Sequence, residues 1–97
     1  MTEYFTPASE EHMARQKNKA RELRRSQWWK NRLGEGTCYY CRGRFAPTEL
    51  TMDHVVPIVR GGTSARSNVV PCCKECNTKK SACLPLEWDE YVKGMQL

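Results

Sequence analysis

Two Cys-x-x-Cys pairs, Cys38–Cys41 and Cys73–Cys76, restrict the fold of this chain more than any other feature in it. A two-residue spacing lets a tight turn aim both sulfurs at one point. Two such pairs can place four thiolates tetrahedrally, about 2.3 Å from one Zn²⁺. Four protein thiolates leave no open coordination position, so one structural zinc per chain is expected. A chain of 97 residues buries a modest core, and a metal tie adds to its stability. Cys72 precedes Cys73, and Cys72-x₃-Cys76 is a second workable spacing. Repetition of the Cys38–Cys41 geometry favours Cys73, leaving Cys72 and Cys83 as free, partly buried thiols. The competing use of six cysteines, a secreted disulfide framework, would need an export signal. Met1 to Pro7 is not basic and leads into no apolar run. No stretch approaches the ~18 apolar residues of a membrane span. A cytoplasmic protein with reduced cysteines and no membrane contact is expected.

The length suits one domain, residues 1–97, in three parts. Residues 7–33 read as one long helix, with Thr6 as N-cap, Pro7 at a tolerated first position, and Glu10 and Glu11 at the positive end of the dipole. Gly34 and Gly36 end it. Its apolar stripe is thin (Met13, Ala20, Leu23, Trp28), so it gains little from lying along its own core. It is expected to project, lie on DNA or pack on a second subunit, with His12 a polar surface residue. Residues 37–83 hold a strand from Leu50 to Val56 closed by Pro57, a Gly61-Gly62 turn, and a short helix from Lys74 to Ala82. Residues 84–97 read as a last helix opened by Pro85. Trp88, Tyr91, Val92 and Met95 recur there at i, i+3, i+4 and i+7, which makes Trp88 a core residue rather than a base-stacking one.

Charge is unevenly spread. The formal net charge is +5, which leans toward an anionic partner. From Arg15 to Arg32 the eight basic residues Arg15, Lys17, Lys19, Arg21, Arg24, Arg25, Lys30 and Arg32 face Glu22 as the one acid, whereas Glu87, Asp89 and Glu90 collect near the C-terminus. A basic helix of this kind suits the phosphate backbone, with Arg21, Arg24 and Arg25 as the expected contacts.

The remaining motifs occur in a fixed order: Asp53-His54-Val55-Val56-Pro57, Gly61-Gly62, Asn68-Val69-Val70, then Cys73-x₂-Cys76-Asn77-x₂-Lys80. With Cys38-x₂-Cys41 before them, they resemble the zinc-containing HNH (ββα-metal) endonuclease family over roughly half the chain. The resemblance implies an α+β fold, in which a ββα-metal core with a four-cysteine zinc site is flanked by the basic N-terminal helix and the short C-terminal one. It also implies a small phage or bacterial type of nuclease, as monomer or homodimer. Asn77 stands at the last position of the pattern, so the chain is an H-N-N variant.

The residues fit the chemistry. Phosphodiester hydrolysis needs an activated water, a cation for the crowded phosphate and help for the leaving oxygen. His54 is the expected general base, since neutral imidazole takes a proton near pH 7. Asp53 and Asn77 offer hard oxygen ligands for Mg²⁺, Mn²⁺ or another divalent ion. The family pattern gives Asn68 the loop facing the His. Lys80 is divided between a phosphate contact and a solvated helix residue. Adjacent strand residues point to opposite faces, so Asp53 and His54 can share a site only at a strand end or bulge. A non-catalytic zinc ribbon explains the cysteines equally well but gives no reason for Asp53-His54, Asn68 and Asn77 together. An RNA-directed nuclease shares the same site chemistry.

Overall fold

The computed structural model describes residues 6–96. The reading of residues 1–5 as free of an export signal lies outside the described residues. The fold is α+β. Helices α1 (Glu10–Arg24) and α2 (Gln27–Gly34) precede strand β1 (Leu50–His54). Strand β2 (Val69–Cys73) follows, then α3 (Lys74–Ala82) and α4 (Pro85–Gln96). The strands pair antiparallel, with Leu50 opposite Cys73 and His54 opposite Val69. Cys73 ends β2 and also caps α3, its sulfur accepting from the Cys76 N–H at 3.4 Å. No helix among the described residues is long and apolar enough to cross a membrane.

The basic segment is two helices, not the single helix expected over residues 7–33. Ser26 breaks it. Its backbone is extended (φ −72°, ψ 150°), its hydroxyl donates to the Leu23 carbonyl at 2.6 Å, and its oxygen accepts from the Trp29 N–H at 3.2 Å. A serine that offers the backbone this alternative favours a cap over a helix interior. The start also differs. Ser9, not Thr6, is the N-cap, accepting from the His12 N–H at 3.1 Å. The buried tryptophan is Trp29, whereas Trp28 lies between the guanidinium groups of Arg32 and Arg66, 5.8 and 5.3 Å from its ring centroid.

Helix α1 lies on its own chain, with Gln16 and Ala20 buried, and polar contacts help to dock it. The Ala8 N–H donates to the Val59 carbonyl at 2.8 Å. His12, expected at a free surface, is half-buried with its Nε2 donating to the Gly62 carbonyl at 3.0 Å. Gln16 is buried and bonds twice to Ser64. These contacts satisfy buried polar groups, so a helix with little apolar surface can still be fixed in place.

The link between the strands, residues 55–68, depends on two glycines and an asparagine. Gly61 has φ +93°, a left-handed conformation that other residues adopt at a cost. A Cβ on Gly62 would come within 1.8 Å of the Val56 carbonyl oxygen. The Asn68 side chain accepts from the Val56 N–H at 2.9 Å and donates to the carbonyls of Val56 and Thr63 at 3.0 and 2.8 Å. The link is thereby closed on itself beside the end of β1.

The core gathers around the cysteines. Cys38, Tyr40, Leu50, Val70, Cys72, Cys73, Cys76 and Trp88 form one buried cluster, with Val92 and Met95 packed against it. Trp88 meets Tyr40 edge to face, ring centroids 5.0 Å apart. The apolar stripe expected on the last helix therefore packs as core. Tyr91 is its half-exposed member, stacked on Trp88.

Candidate functional site

The sulfurs of Cys38, Cys41, Cys73 and Cys76 all lie within 4.8 Å of one another, and none is in a disulfide. Four sulfurs about 2.3 Å from a tetrahedral zinc would stand about 3.8 Å apart. The Cys41–Cys73 pair is at 3.9 Å. The donor set fits a metal such as zinc in number, chemistry and spacing. Backbone N–H groups supplement it, from Cys73 to the Cys38 sulfur at 3.5 Å and from Gly43 to the Cys41 sulfur at 3.4 Å. Burial raises the Cys38 thiol, but backbone N–H donors outweigh it and bring the group down to about 7. Cys72 is fully buried outside the cluster, and burial pushes its thiol up, away from a thiolate. By position it is the Cys73 sulfur, not that of Cys72, that joins the other three.

A second feature lies next to this cluster. Asp53, His54, Asn77 and Lys80 line one cleft of about 530 Å³ between the end of β1, α3 and the start of α4. His54 is the last residue of β1, the strand end that sharing a site with Asp53 requires. Asn77 follows Cys76 directly, so the four-cysteine cluster and the cleft meet on α3. Asn68 lies outside the cleft lining and holds the 55–63 backbone beside it.

Asp53 is tightly bound on one side. Its Oδ2 accepts from the Tyr40 hydroxyl at 2.6 Å and from the Lys80 ammonium at 2.6 Å. Lys80 also donates to the His54 carbonyl at 2.6 Å and approaches the Val55 carbonyl and the Tyr40 hydroxyl at 3.3 and 3.2 Å. Both side chains of the pair are largely buried, 12% and 13% exposed. Lys80 is thus not a solvated helix residue, and it lines the cleft. It is an ammonium in a cage of oxygens. Among the described residues Oδ1 of Asp53 accepts no hydrogen bond, which leaves a hard oxygen open to the cleft. Together with the Asn77 amide it fits Mg²⁺ or Mn²⁺ in kind.

The half-buried His54 ring is held at Nε2, 2.9 Å from the Ser64 hydroxyl. Burial lowers its pKa most. Asp53 raises it, and the charges of Arg24 and Lys80 lower it further. The balance favours neutral imidazole. Arg24 therefore acts on the cleft from α1, while Arg21 and Arg25 are exposed on the same helical segment.

Three residues of this site escape the sequence patterns. Tyr40 lies inside the first Cys pair, where no spacing rule marks it. Ser64 sits in an ordinary loop. Gln16 does carry a usable signal, since it falls three residues after Met13 and four before Ala20, on the stripe that turns inward.

The family model described as HNH endonuclease matches residues 38–89, from the first zinc-spaced cysteine into α4. No curated protein matches the chain.

Proposed function

Because the chain belongs to the HNH endonuclease family, we propose that it is a metal-dependent DNA endonuclease that hydrolyses phosphodiester bonds with little sequence specificity. The observation that carries this reading is the convergence of Asp53, His54 and Asn77 on one cleft. His54 takes the proton of the attacking water, a task suited to a neutral imidazole. Asp53 and Asn77 hold the divalent ion through oxygen, and Asn68 keeps the backbone beside His54 in shape. A divalent ion there supplies charge for the crowded phosphate and the leaving 3′-oxygen. Lys80 fixes the Asp53 carboxylate and adds a cation at the cleft floor. One zinc on Cys38, Cys41, Cys73 and Cys76 keeps β2, α3 and the first Cys turn together. One cleft per chain acts on one strand per encounter, so a monomer nicks and a dimer is needed to cut both strands at once.

Supercoiled plasmid tests this directly. Zinc-loaded protein should nick it when Mg²⁺ or Mn²⁺ is added and leave it intact without a second ion. A folded preparation that cuts neither DNA nor RNA with Mg²⁺, Mn²⁺, Ni²⁺ or Zn²⁺ would make the chain a zinc-ribbon binding module instead.

Binding should run along α1. Replacing Arg21, Arg24 and Arg25 with glutamine is expected to weaken DNA binding. The log–log salt slope should flatten by up to about one unit per lost phosphate contact. An unchanged slope in a salt titration would assign these arginines to a solvated face.

A further inference from the structure

We propose that Ser64 and Gln16 form a positioning relay that locks His54 in one tautomer and makes helix α1 part of the catalytic apparatus. The proposal deepens the reading of His54 as the general base and rests on it.

The hydrogen-bond count around Ser64 carries the argument. Its hydroxyl has one hydrogen. That hydrogen is directed at the Gln16 backbone carbonyl, 2.5 Å away, a group that can only accept. The Ser64 oxygen is then left with lone pairs alone toward His54. At 2.9 Å from that oxygen, His54 Nε2 must be the donor. The proton of the neutral ring is therefore on Nε2, and Nδ1 keeps its lone pair free for a proton from water. The reverse tautomer would set two acceptors against each other inside a buried contact, which costs free energy on both sides.

Gln16 keeps Ser64 in place. Its Oε1 accepts from the Ser64 N–H at 2.7 Å, so one residue engages both the amide and the hydroxyl. Gln16 and Ser64 are 4% and 9% exposed, too little for water to replace these bonds freely. Two further contacts, Ala8 to Val59 and His12 to Gly62, fix α1 against the same loop. Gln16 lies outside residues 38–89, the segment the family model covers. The orientation of His54 thus depends on a helix that is not part of that segment.

The test is nitrogen NMR on the zinc-loaded chain without added Mg²⁺, at about pH 8, where imidazole is neutral. His12 supplies the other imidazole signals, and His54→Ala assigns them. Wild-type His54 should show a protonated Nε2 and an unprotonated Nδ1. Ser64→Ala should move both His54 shifts toward a tautomer mixture. It should also lower kcat by about 10- to 100-fold, the usual range for losing an orienting partner, with little change in KM. Ser64→Thr, which keeps the hydroxyl, should restore both. Gln16→Ala should shift the tautomer in the same sense but less, because the backbone acceptor remains. A wild-type ring protonated on Nδ1 overturns the relay, and that measurement needs no variant to fold. An unchanged His54 tautomer in folded Ser64→Ala also overturns it. If the tautomer shifts as expected while His54→Ala still cuts at full rate, the relay stands and the general-base reading fails.

Discussion

Replacing His54 with alanine is expected to lower the cleavage rate by about 10²–10⁴, the usual cost of removing a general base. Fold, zinc content and DNA affinity should stay near wild type. The ring lies at a strand end, and among the described residues it hydrogen-bonds only Ser64. Its loss leaves the Ser64 oxygen still bonded to Gln16. The ring is not among the zinc-spaced sulfurs. A plasmid-nicking time course beside zinc analysis and circular dichroism reads these quantities separately. A folded variant that cuts at the wild-type rate would remove His54 from the mechanism. Asp53 calls for a different substitution. Asp53→Ala would strand the largely buried Lys80 ammonium, and breaking a buried pair on one side costs about 3–5 kcal/mol. Asp53→Asn keeps the shape and an oxygen, so lost activity that high Mn²⁺ partly recovers would report on the ion site rather than on the fold.

Loss of the zinc is expected to unfold the chain. Apparent binding free energies of structural zinc are about 10–16 kcal/mol at pH 7, as large as the ~5–15 kcal/mol by which small domains are stable at all. Here the core and the metal site are nearly the same residues. Cys38, Cys73 and Cys76 lie in the buried cluster with Leu50, Val70 and Trp88. Without an ion, four sulfurs within 4.8 Å of one another would have to stay protonated or repel. Elemental analysis should find about one zinc per chain. Chelation, or Cys41→Ser, should abolish the cooperative thermal transition. Cys72→Ala should keep both the zinc and the transition, because that sulfur is not one of the four gathered together. A metal-free chain that melts like the loaded one would mean the cysteines are ordinary core residues.

Local patterns were legible in proportion to how locally they are made. The Cys pairs, the strand beginning at Leu50, helix α3 from Lys74 to Ala82 and the inward stripe of α4 all rest on spacings of a few residues, and each is where the sequence pattern puts it, except that the strand ends at His54 rather than at Val56. The break at Ser26 was also local, a serine able to cap at the backbone, but a run of good helix formers on both sides masked it. The docking of α1 was not legible. Gln16 and Ser64 are 48 positions apart, and their contact is polar: the Met13–Ala20 stripe marks the inward side of α1 but not what it meets. Lys80 shows the same limit. Its spacing after Asn77 placed it on α3 beside the site, but only the fold brings it to Asp53 and two carbonyls across the sheet end.

Tyr40 links the four-cysteine cluster to the cleft. It stands between Cys38 and Cys41, and its hydroxyl bonds the Asp53 carboxylate. Any order that a bound zinc imposed on that turn would reach a proposed ligand of the second ion through this hydrogen bond. Linkage then works in both directions. Whatever factor zinc adds to the affinity for Mg²⁺, Mg²⁺ adds to the affinity for zinc. With both ions bound as proposed, the two would share no ligand, yet each would be a heterotropic effector of the other. Substrate-bound, Mg²⁺-loaded chains should therefore give up zinc to a chelator more slowly than idle ones.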